Sequence, residues 1–171
     1  MSGRLQAQGS LGPSLDVDEQ FASLGYLHFL AAFCPRHQKL PALWLSKLFV
    51  PAVNHDCVRF FRNDAGHVCA ALIWARLDGD AVEQMLKHNR LSYQSAWSRG
   101  GSLLFLDVLA PFNHGKVVAR HIARNPPAEP FYFARLNSHG AVRKVVRADA
   151  GKPGPERMRT YLVRGQSGNL L

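Results

Sequence analysis

One apolar stretch constrains the fold of this chain more than any other part of it. Residues 103–112 read LLFLDVLAPF and follow a Gly-Gly pair, which predicts a buried strand with a single carboxylate, Asp107, inside it. Removing an isolated carboxylate from water is costly unless a partner or hydrogen bonds offset the loss. Asp107 therefore needs a partner. An imidazole is the natural candidate, and pairing with an arginine such as Arg135 is the structural alternative.

The composition predicts one folded and basic domain. The chain has 171 residues, 47% of them hydrophobic and ten of them Phe, which is enough for a single core and argues against disorder. The net charge of +9 is uneven, because residues 120–171 carry ten Lys or Arg against three Asp or Glu. This last third should attract an acidic partner: nucleic acid, an anionic membrane or an acidic protein.

The cysteines and the N-terminal stretch indicate a cytoplasmic protein. Cys34, Cys57 and Cys69 have no Cys-x-x-Cys spacing, which argues against a disulfide framework and against a zinc site, so no metal is expected. The first residues lack the apolar segment of a signal peptide, and no window reaches the ~18 apolar residues of a membrane span. We therefore expect reduced thiols and no membrane span.

Periodicity predicts a single α/β domain over residues 18–150, between a disordered leader (1–17) and a flexible basic C-terminal tail (151–171). The expected sheet is mixed, mainly antiparallel and flanked by helices. The predicted helices cover residues 20–33, 41–50, 80–88 and 115–124. Strands are predicted at 57–62, 67–76, 131–136 and 142–146 besides the one that holds Asp107, and a short loop at 63–66 joins the first two as a hairpin.

Several short motifs resemble, in their order and spacing, the toxin-activating lysine acyltransferases. They are Leu24-Gly25, Cys34-Pro35-Arg36-His37, Pro51-Ala52, Trp74-Ala75, and Asp107 followed by Ala110-Pro111-Phe112. The resemblance implies a GNAT-like fold. It also implies transfer of a fatty acyl group from acyl carrier protein to internal lysines of a secreted RTX-type protoxin, with acyl carrier protein as a donor substrate and no bound cofactor.

The same resemblance implies that His37 and Asp107 are the catalytic pair. A lysine ammonium has a pKa near ~10.4, and only the neutral amine attacks a thioester. His37, held in one tautomer by Asp107, would remove that proton or would itself carry the acyl group as an acyl-imidazole. Cys34 stands where the family usually has Ser, and a nucleophilic Cys34–His37 pair is a further alternative.

The segment after the Asp107 strand is expected to bind the donor. In acyltransferases of this architecture, backbone amides at a helix N-terminus face the phosphates of the acyl carrier. Asn113, Gly115 and Lys116 lie at this position here, with Arg120 one turn further along. The basic helix that they begin would attract an acidic carrier protein.

Two other functions stay open from the sequence. One is a non-enzymatic basic module that binds nucleic acid, although the chain has no recognised motif and no closely interleaved basic and aromatic residues. The other is an acetyl-CoA-dependent small-molecule N-acetyltransferase. Trp44, Leu48 and Trp74 are expected in the core or in the wall of an acyl pocket. The acyl chain length, the acceptor lysines and a possible homodimer are not decided by the sequence.

Overall fold

Two helices open the described part of the chain. The computed structural model describes residues 17–82, 97, 100–136 and 142–163. Helix α1 spans Val17–Phe33 and has Asp18 and Glu19 in its first turn, where carboxylates favour the positive end of the helix dipole. It ends at Phe33, as predicted, because the residue before Pro35 is disfavoured in the helical region.

Helix α2 is longer than the sequence predicts. It spans Ala42–Asn54 and passes through Pro51, whereas the expected helix stopped at residue 50. Proline usually ends or kinks a helix, but Pro51, Ala52 and Val53 are all buried here, so tertiary packing outweighs the local penalty. Trp44 is 54% exposed on this helix, and its expected place in the core or in a pocket wall is wrong.

A six-stranded mixed sheet forms the centre of the protein and confirms the predicted α/β class. The strands are β1 (Val58–Arg62), β2 (Val68–Leu77), β3 (Ser102–Leu109), β4 (Phe131–Leu136), β5 (Val142–Ala148) and β6 (Met158–Val163). They lie side by side in chain order, and every neighbouring pair is antiparallel except β3 and β4. Helix α3 (Gly115–Arg124) makes the crossover that two parallel strands require.

The first hairpin and the crossover helix follow their sequence signals closely. Asn63 accepts hydrogen bonds through its side-chain oxygen from the backbone N–H groups of Ala65 and His67, and Gly66 adopts the left-handed conformation (φ 81°) that this turn needs. The observed bounds of α3 and β4 are the predicted ones. Residues 79–82 are helical, and the rest of the helix expected at 80–88 lies outside the described residues.

The C-terminal tail is partly ordered, which corrects the expected flexible segment from residue 151 onward. A 3₁₀ turn at Gly154–Arg157 leads into β6, which pairs antiparallel with β5. Without β6 the outer edge of β5 would carry unpaired backbone groups, and β6 supplies their hydrogen bonds. Residues 164–171 and residues 1–16 of the expected leader (1–17) lie outside the described residues, and Val17 is the first residue of α1.

The sheet separates two packed layers. Helices α1 and α2 cover one face, where the largest core cluster includes Leu27, Leu30, Phe49, Ile73 and Leu109. Helix α3 covers the other face through Val118, which packs against Ala70 and Leu72. Among the described residues, no helix is long and apolar enough to cross a membrane.

Candidate active site

A β-bulge in β3 sets the direction of Asp107. Ile73 of β2 pairs with Asp107, but the next residue, Trp74, pairs with Phe105, so Leu106 is an extra residue without a partner. Directly paired residues of neighbouring strands share a face of the sheet, and Ile73 belongs to the face covered by α1 and α2. Strict alternation along β3 would have put Asp107 on the α3 face with Phe105. The bulge turns the carboxylate to the α1–α2 side.

His37 lies in a tight turn between α1 and α2. The turn is held by backbone hydrogen bonds, in which His37 N–H donates to the Cys34 carbonyl at 2.8 Å and Leu40 N–H donates to the His37 carbonyl at 2.9 Å. The His37 side chain is 2% exposed. The sequence therefore provides a short, proline-containing turn that directs an imidazole inward.

The two predicted catalytic side chains are in direct contact. His37 Nε2 lies 2.5 Å from Asp107 Oδ2. The other carboxylate oxygen, Oδ1, accepts hydrogen bonds from Arg36 Nη2 at 2.6 Å and from the Val108 backbone N–H at 2.8 Å. Both oxygens of this buried carboxylate are therefore satisfied, which removes most of the penalty of burying its charge.

Arg36 is the functional neighbour that the sequence reasoning missed as a partner. The sequence predicts an imidazole as the partner of Asp107, with Arg135 as the alternative; in the structure Asp107 contacts the imidazole of His37 and, in addition, Arg36 rather than Arg135. Arg135 lies over the Phe133 ring at 5.9 Å. Because Arg36 immediately precedes His37, the same turn supplies both partners, and an arginine beside a histidine opposite a buried acid was the available signal.

The pair favours an imidazolium facing a carboxylate. Burial lowers the pKa of His37, but the hydrogen bond and charge of Asp107 outweigh burial and raise it to about 9. Burial raises the pKa of Asp107, but the hydrogen bond from His37 and the charge of Arg36 outweigh it and hold that pKa below its usual value. The carboxylate therefore makes His37 a stronger base than a free imidazole.

The second ring nitrogen of His37 is the one that the carboxylate leaves available. Nδ1 is buried and has no hydrogen-bond partner among the described residues. Cys34 also interacts with His37: this interaction lowers the pKa of the Cys34 thiol, and the thiol in turn raises the pKa of His37. A buried nitrogen without a hydrogen-bond partner lowers the stability of the fold. Such atoms are rare and are typical of functional sites.

Three aromatic rings tie the two halves of the site together. Phe112, which follows β3, lies 5.8 Å from Phe33 and 6.4 Å from Phe29 at the end of α1, measured between ring centroids. Phe29 and Phe33 also contact each other at 5.0 Å. The turn that holds His37 begins directly after Phe33. These contacts therefore fasten that turn to the segment that follows Asp107.

An opening lies beside Asp107, where β3 and β4 stop pairing. The parallel pairing ends at Phe105 and Phe133, although both strands continue. A groove of about 880 Å³ starts at this opening and runs between α3 and the outer strands of the sheet. Its walls are mostly apolar. They include Phe105, Val118, Ile122, Phe131, Phe133, Ala148 and Met158.

The four expected donor-binding residues lie at or near the start of α3. Gly115 is the first residue of the helix and lines the groove. Asn113 adopts a left-handed conformation (φ 63°) in the preceding loop, which Asn tolerates better than most residues. Lys116 and Arg120 are exposed, and neither lines the groove. The first turn of α3 has no acidic residue and no side-chain cap, so its positive end is not neutralised locally.

The described residues contain no group of three or more His, Cys, Asp or Glu side chains placed to hold a metal ion. Their three cysteines are free thiols. Burial raises the pKa of Cys57 to about 11, so that thiol is protonated and unreactive at neutral pH.

The chain belongs to the RTX toxin acyltransferase family, whose sequence profile matches residues 17–148, and it is therefore an acyltransferase. It is 25% identical to the leukotoxin-activating lysine-acyltransferase of Aggregatibacter actinomycetemcomitans over 81% of this chain and 82% of that one. It is 27% identical to the RTX-I toxin-activating lysine-acyltransferase of Actinobacillus pleuropneumoniae, over 77% and 76% of the two chains.

Two further similarities complete the comparison. A protein-lysine myristoyltransferase of Escherichia coli is 24% identical over 81% of both chains. Among solved structures, a GNAT-like decarboxylase in complex with isobutyryl-CoA is similar with a TM-score of 0.44 and 18% identity, over 68% of this chain and 64% of that one. The predicted family is thus confirmed, while the roles of His37 and Asp107 stay predictions.

Proposed function

We propose that this protein transfers a fatty acyl group from acyl carrier protein to internal lysines of an RTX-type protoxin. Its relatives are named as toxin-activating lysine-acyltransferases, and one is named a myristoyltransferase. The single observation that carries the proposal is the contact between His37 and Asp107 beside the opening between β3 and β4. A strengthened base next to an opening in the sheet supports transfer of an acyl group from a thioester to an amine.

His37 acts as a general base through Nδ1, since Nε2 is bonded to Asp107. The acceptor lysine arrives as an ammonium, and a base with a pKa of about 9 removes its proton less unfavourably than an ordinary imidazole does. The neutral amine attacks the thioester carbonyl, the carbon–sulfur bond breaks, and an amide forms. The imidazolium returns its proton to the leaving thiolate, and the amide nitrogen loses its second proton to solvent.

An acyl-imidazole route uses the same nitrogen. Neutral Nδ1 attacks the thioester, the thiol leaves, and the lysine amine then displaces the imidazole. Both routes require the neutral ring, which is about one part in a hundred at pH 7 for a pKa near 9. Rapid mixing of donor and enzyme without acceptor separates them, because only the second route releases thiol before lysine is added.

The donor surface is proposed at the start of α3. The helix N-terminus, with Asn113 and Gly115, is suited to a phosphate, and Lys116 and Arg120 are suited to the acidic surface of a carrier protein. The groove favours a long acyl chain over acetyl, because its apolar walls enclose far more space than two carbons occupy. We therefore favour an acyl carrier donor over acetyl-CoA, and family membership weighs against a nucleic-acid-binding module.

The test is acyl transfer by variants of the pair. His37→Ala and Asp107→Ala should each abolish acylation of a lysine-containing acceptor, and the double variant should be little worse than either, because the two side chains act as a unit. Intact-mass spectrometry of the acceptor measures the product. His67→Ala, in the exposed hairpin turn, is the matched control and should retain activity. Normal conversion by folded His37→Ala enzyme would remove the assignment.

A further inference from the structure

The pairing between neighbouring strands shows in which direction the groove beside α3 runs. Phe131 of β4 pairs with Ala148 of β5, and Ala148 pairs with Met158 of β6. Phe131 also pairs with Leu103, four residues before Asp107 in β3. The groove thus begins at Asp107 and extends diagonally across the sheet to Ala148 and Met158.

The length of the groove fits a long acyl chain. From β3 to β6 the path crosses three strand spacings, and from the level of Asp107 to the level of Leu103 it covers about three residues along the strands. Together these give about 15–20 Å from Asp107 to the far end of the groove. A zigzag of carbon–carbon bonds of about 1.5 Å advances about 1.25 Å per carbon, so this distance corresponds to roughly 12 to 16 carbons. An acyl group with its carbonyl at the pair would therefore end near Met158.

The walls are suited to hydrocarbon rather than to the amide-containing arm of the donor. Aromatic rings form a continuous part of the floor, with Phe105 and Phe131 at 4.7 Å and Phe131 and Phe133 at 6.0 Å between centroids. Charged side chains such as Arg135 and Asp149 also line the groove, but the aromatic rings of the floor offer no hydrogen-bond partner to the two amides of a pantetheine arm, so burying the amides against these rings is unfavourable. Hydrocarbon gains from the same burial.

Small and flexible side chains lie at the far end. Ala148 is 5% exposed, packs with Leu103 and Phe131, and lines the groove. A larger side chain at this position would extend into the groove. Met158 is 53% exposed, and its flexible thioether suits an adaptable end wall. Arg124 and Arg157 line this end as well, and both are exposed.

We propose that this groove holds the acyl chain of the donor, and that Ala148 and Met158 determine which chain lengths are accepted. The inference rests on the proposed acyl transfer and assigns the specificity of that same site. Ala148 and Met158 are specificity residues, because they contact the chain and lie far from the reacting carbonyl.

Competition between donors tests the assignment. Octanoyl, myristoyl and stearoyl forms of acyl carrier protein are mixed in equal amounts, and the mass of each acylated acceptor is measured. Ala148→Leu shortens the groove, so the ratio of octanoyl to myristoyl product should rise at least about tenfold, because several methylenes lose their burial. Met158→Ala removes part of the end wall and should raise the ratio of stearoyl to myristoyl product. Ala65→Leu, in the exposed β1–β2 turn, is the control and should change neither ratio.

Each outcome decides the inference. Unchanged ratios in both folded variants would overturn it, and if Ala148→Leu fails to fold, Met158→Ala decides alone. If the Ala148 and Met158 variants lost transfer activity equally with all three donors, and Arg157→Gln lost transfer activity as well, the inference would be overturned. The phosphorylated arm of the donor would then be the better occupant of the groove. Absence of any lysine acylation by the parent enzyme would instead contradict the proposed function.

Discussion

At the scale of single residues, the site depends on one buried carboxylate that is satisfied from two directions. Asp107 accepts from Arg36 at one oxygen and contacts His37 at the other. Arg36 compensates the charge, and its own positive charge opposes the rise in the pKa of His37. The carboxylate therefore has two positive neighbours, so it stays ionised while it orients the imidazole.

The first prediction concerns pH. His37 has a pKa of about 9, so the transfer rate should increase with pH until that ring is deprotonated. In Asp107→Asn the hydrogen-bonded carboxylate is lost, burial dominates, and the pKa of His37 should fall below 6.5. Between pH 7 and 9 the residual activity of that variant should therefore change only through the ionisation of the acceptor lysine. The ring protons of His37, followed by NMR, give the same titration without the lysine.

Stability provides the companion measurement. A histidine whose pKa is raised by folding contributes stability that is complete below about 6.5 and is lost as pH rises through about 9. The free energy of unfolding of the parent should therefore decrease between pH 6.5 and 9. His37→Gln should lack this decrease, and an equal decrease in both proteins would contradict the assigned pKa.

The second prediction concerns Cys34. If its thiol only supports the His37 turn, Cys34→Ser should retain transfer within about tenfold, because the hydroxyl occupies similar space and hydrogen-bonds better. A nucleophilic thiol would lose several orders of magnitude on this change and would carry a thioester labile to neutral hydroxylamine. Mass spectrometry of enzyme incubated with donor alone detects that adduct. Its appearance on Cys34 would move the nucleophile from the substrate amine to this residue.

At the scale of secondary-structure elements, contacts between α1 and the end of β3 bring the pair together. His37 follows α1, Asp107 lies within β3, and the rings of Phe33 and Phe112 join the two elements at a centroid distance of 5.8 Å. Phe112 is 42% exposed, so its role here is not that of an ordinary core residue. The exposed ring is better explained by positioning than by burial.

The third prediction tests that role. Phe112→Ala should remove about 1 kcal/mol of ring contact and lower kcat with little change in KM for the donor, because the turn is held less firmly against Asp107. Phe33→Ala should do the same, and the double variant should fall short of the sum, since both changes break one contact. Trp44→Ala removes a ring of similar exposure on α2 and should leave kcat unchanged. Additive effects of the two Phe changes would show that they act separately.

At the scale of the whole molecule, the charge is concentrated where the donor is expected. Residues 120–171 carry most of the net charge of +9, and α3 supplies exposed Lys116 and Arg120 just before and at the start of that segment. Such a surface attracts an acidic protein and accelerates its encounter, and both effects weaken with salt.

The fourth prediction follows from this asymmetry. Reversing both charges, Lys116→Glu with Arg120→Glu, should raise KM for acyl carrier protein about tenfold at low salt and flatten its salt dependence, with kcat at saturating donor nearly unchanged. Lys152→Glu changes an exposed charge after β5 and is the control, with a smaller effect expected. Equal KM values for parent and double variant at low salt would place the carrier on another surface.

The sequence alone determined the local elements and predicted the pair of His37 and Asp107. The apolar run around Asp107, the Asn-x-x-Gly hairpin and the amphipathic period of α3 are local signals, and short-range backbone and side-chain preferences decide such features. The resemblance of the Cys34-Pro35-Arg36-His37 motif to the family pointed to His37 without any coordinates. Only the tertiary structure decided how these parts meet. The extra residue at Leu106 depends on pairing with β2, and it puts Asp107 on the same face of the sheet as Ile73, the face covered by α1 and α2. Helix α2 continues through Pro51 because the residues around it are buried, although the sequence predicts that the helix ends at residue 50. Strand β6 forms because it pairs with the edge of β5, although the sequence predicts a flexible tail there. These outcomes depend on contacts between residues distant in sequence, whose free energies exceed the local preferences that a sequence displays.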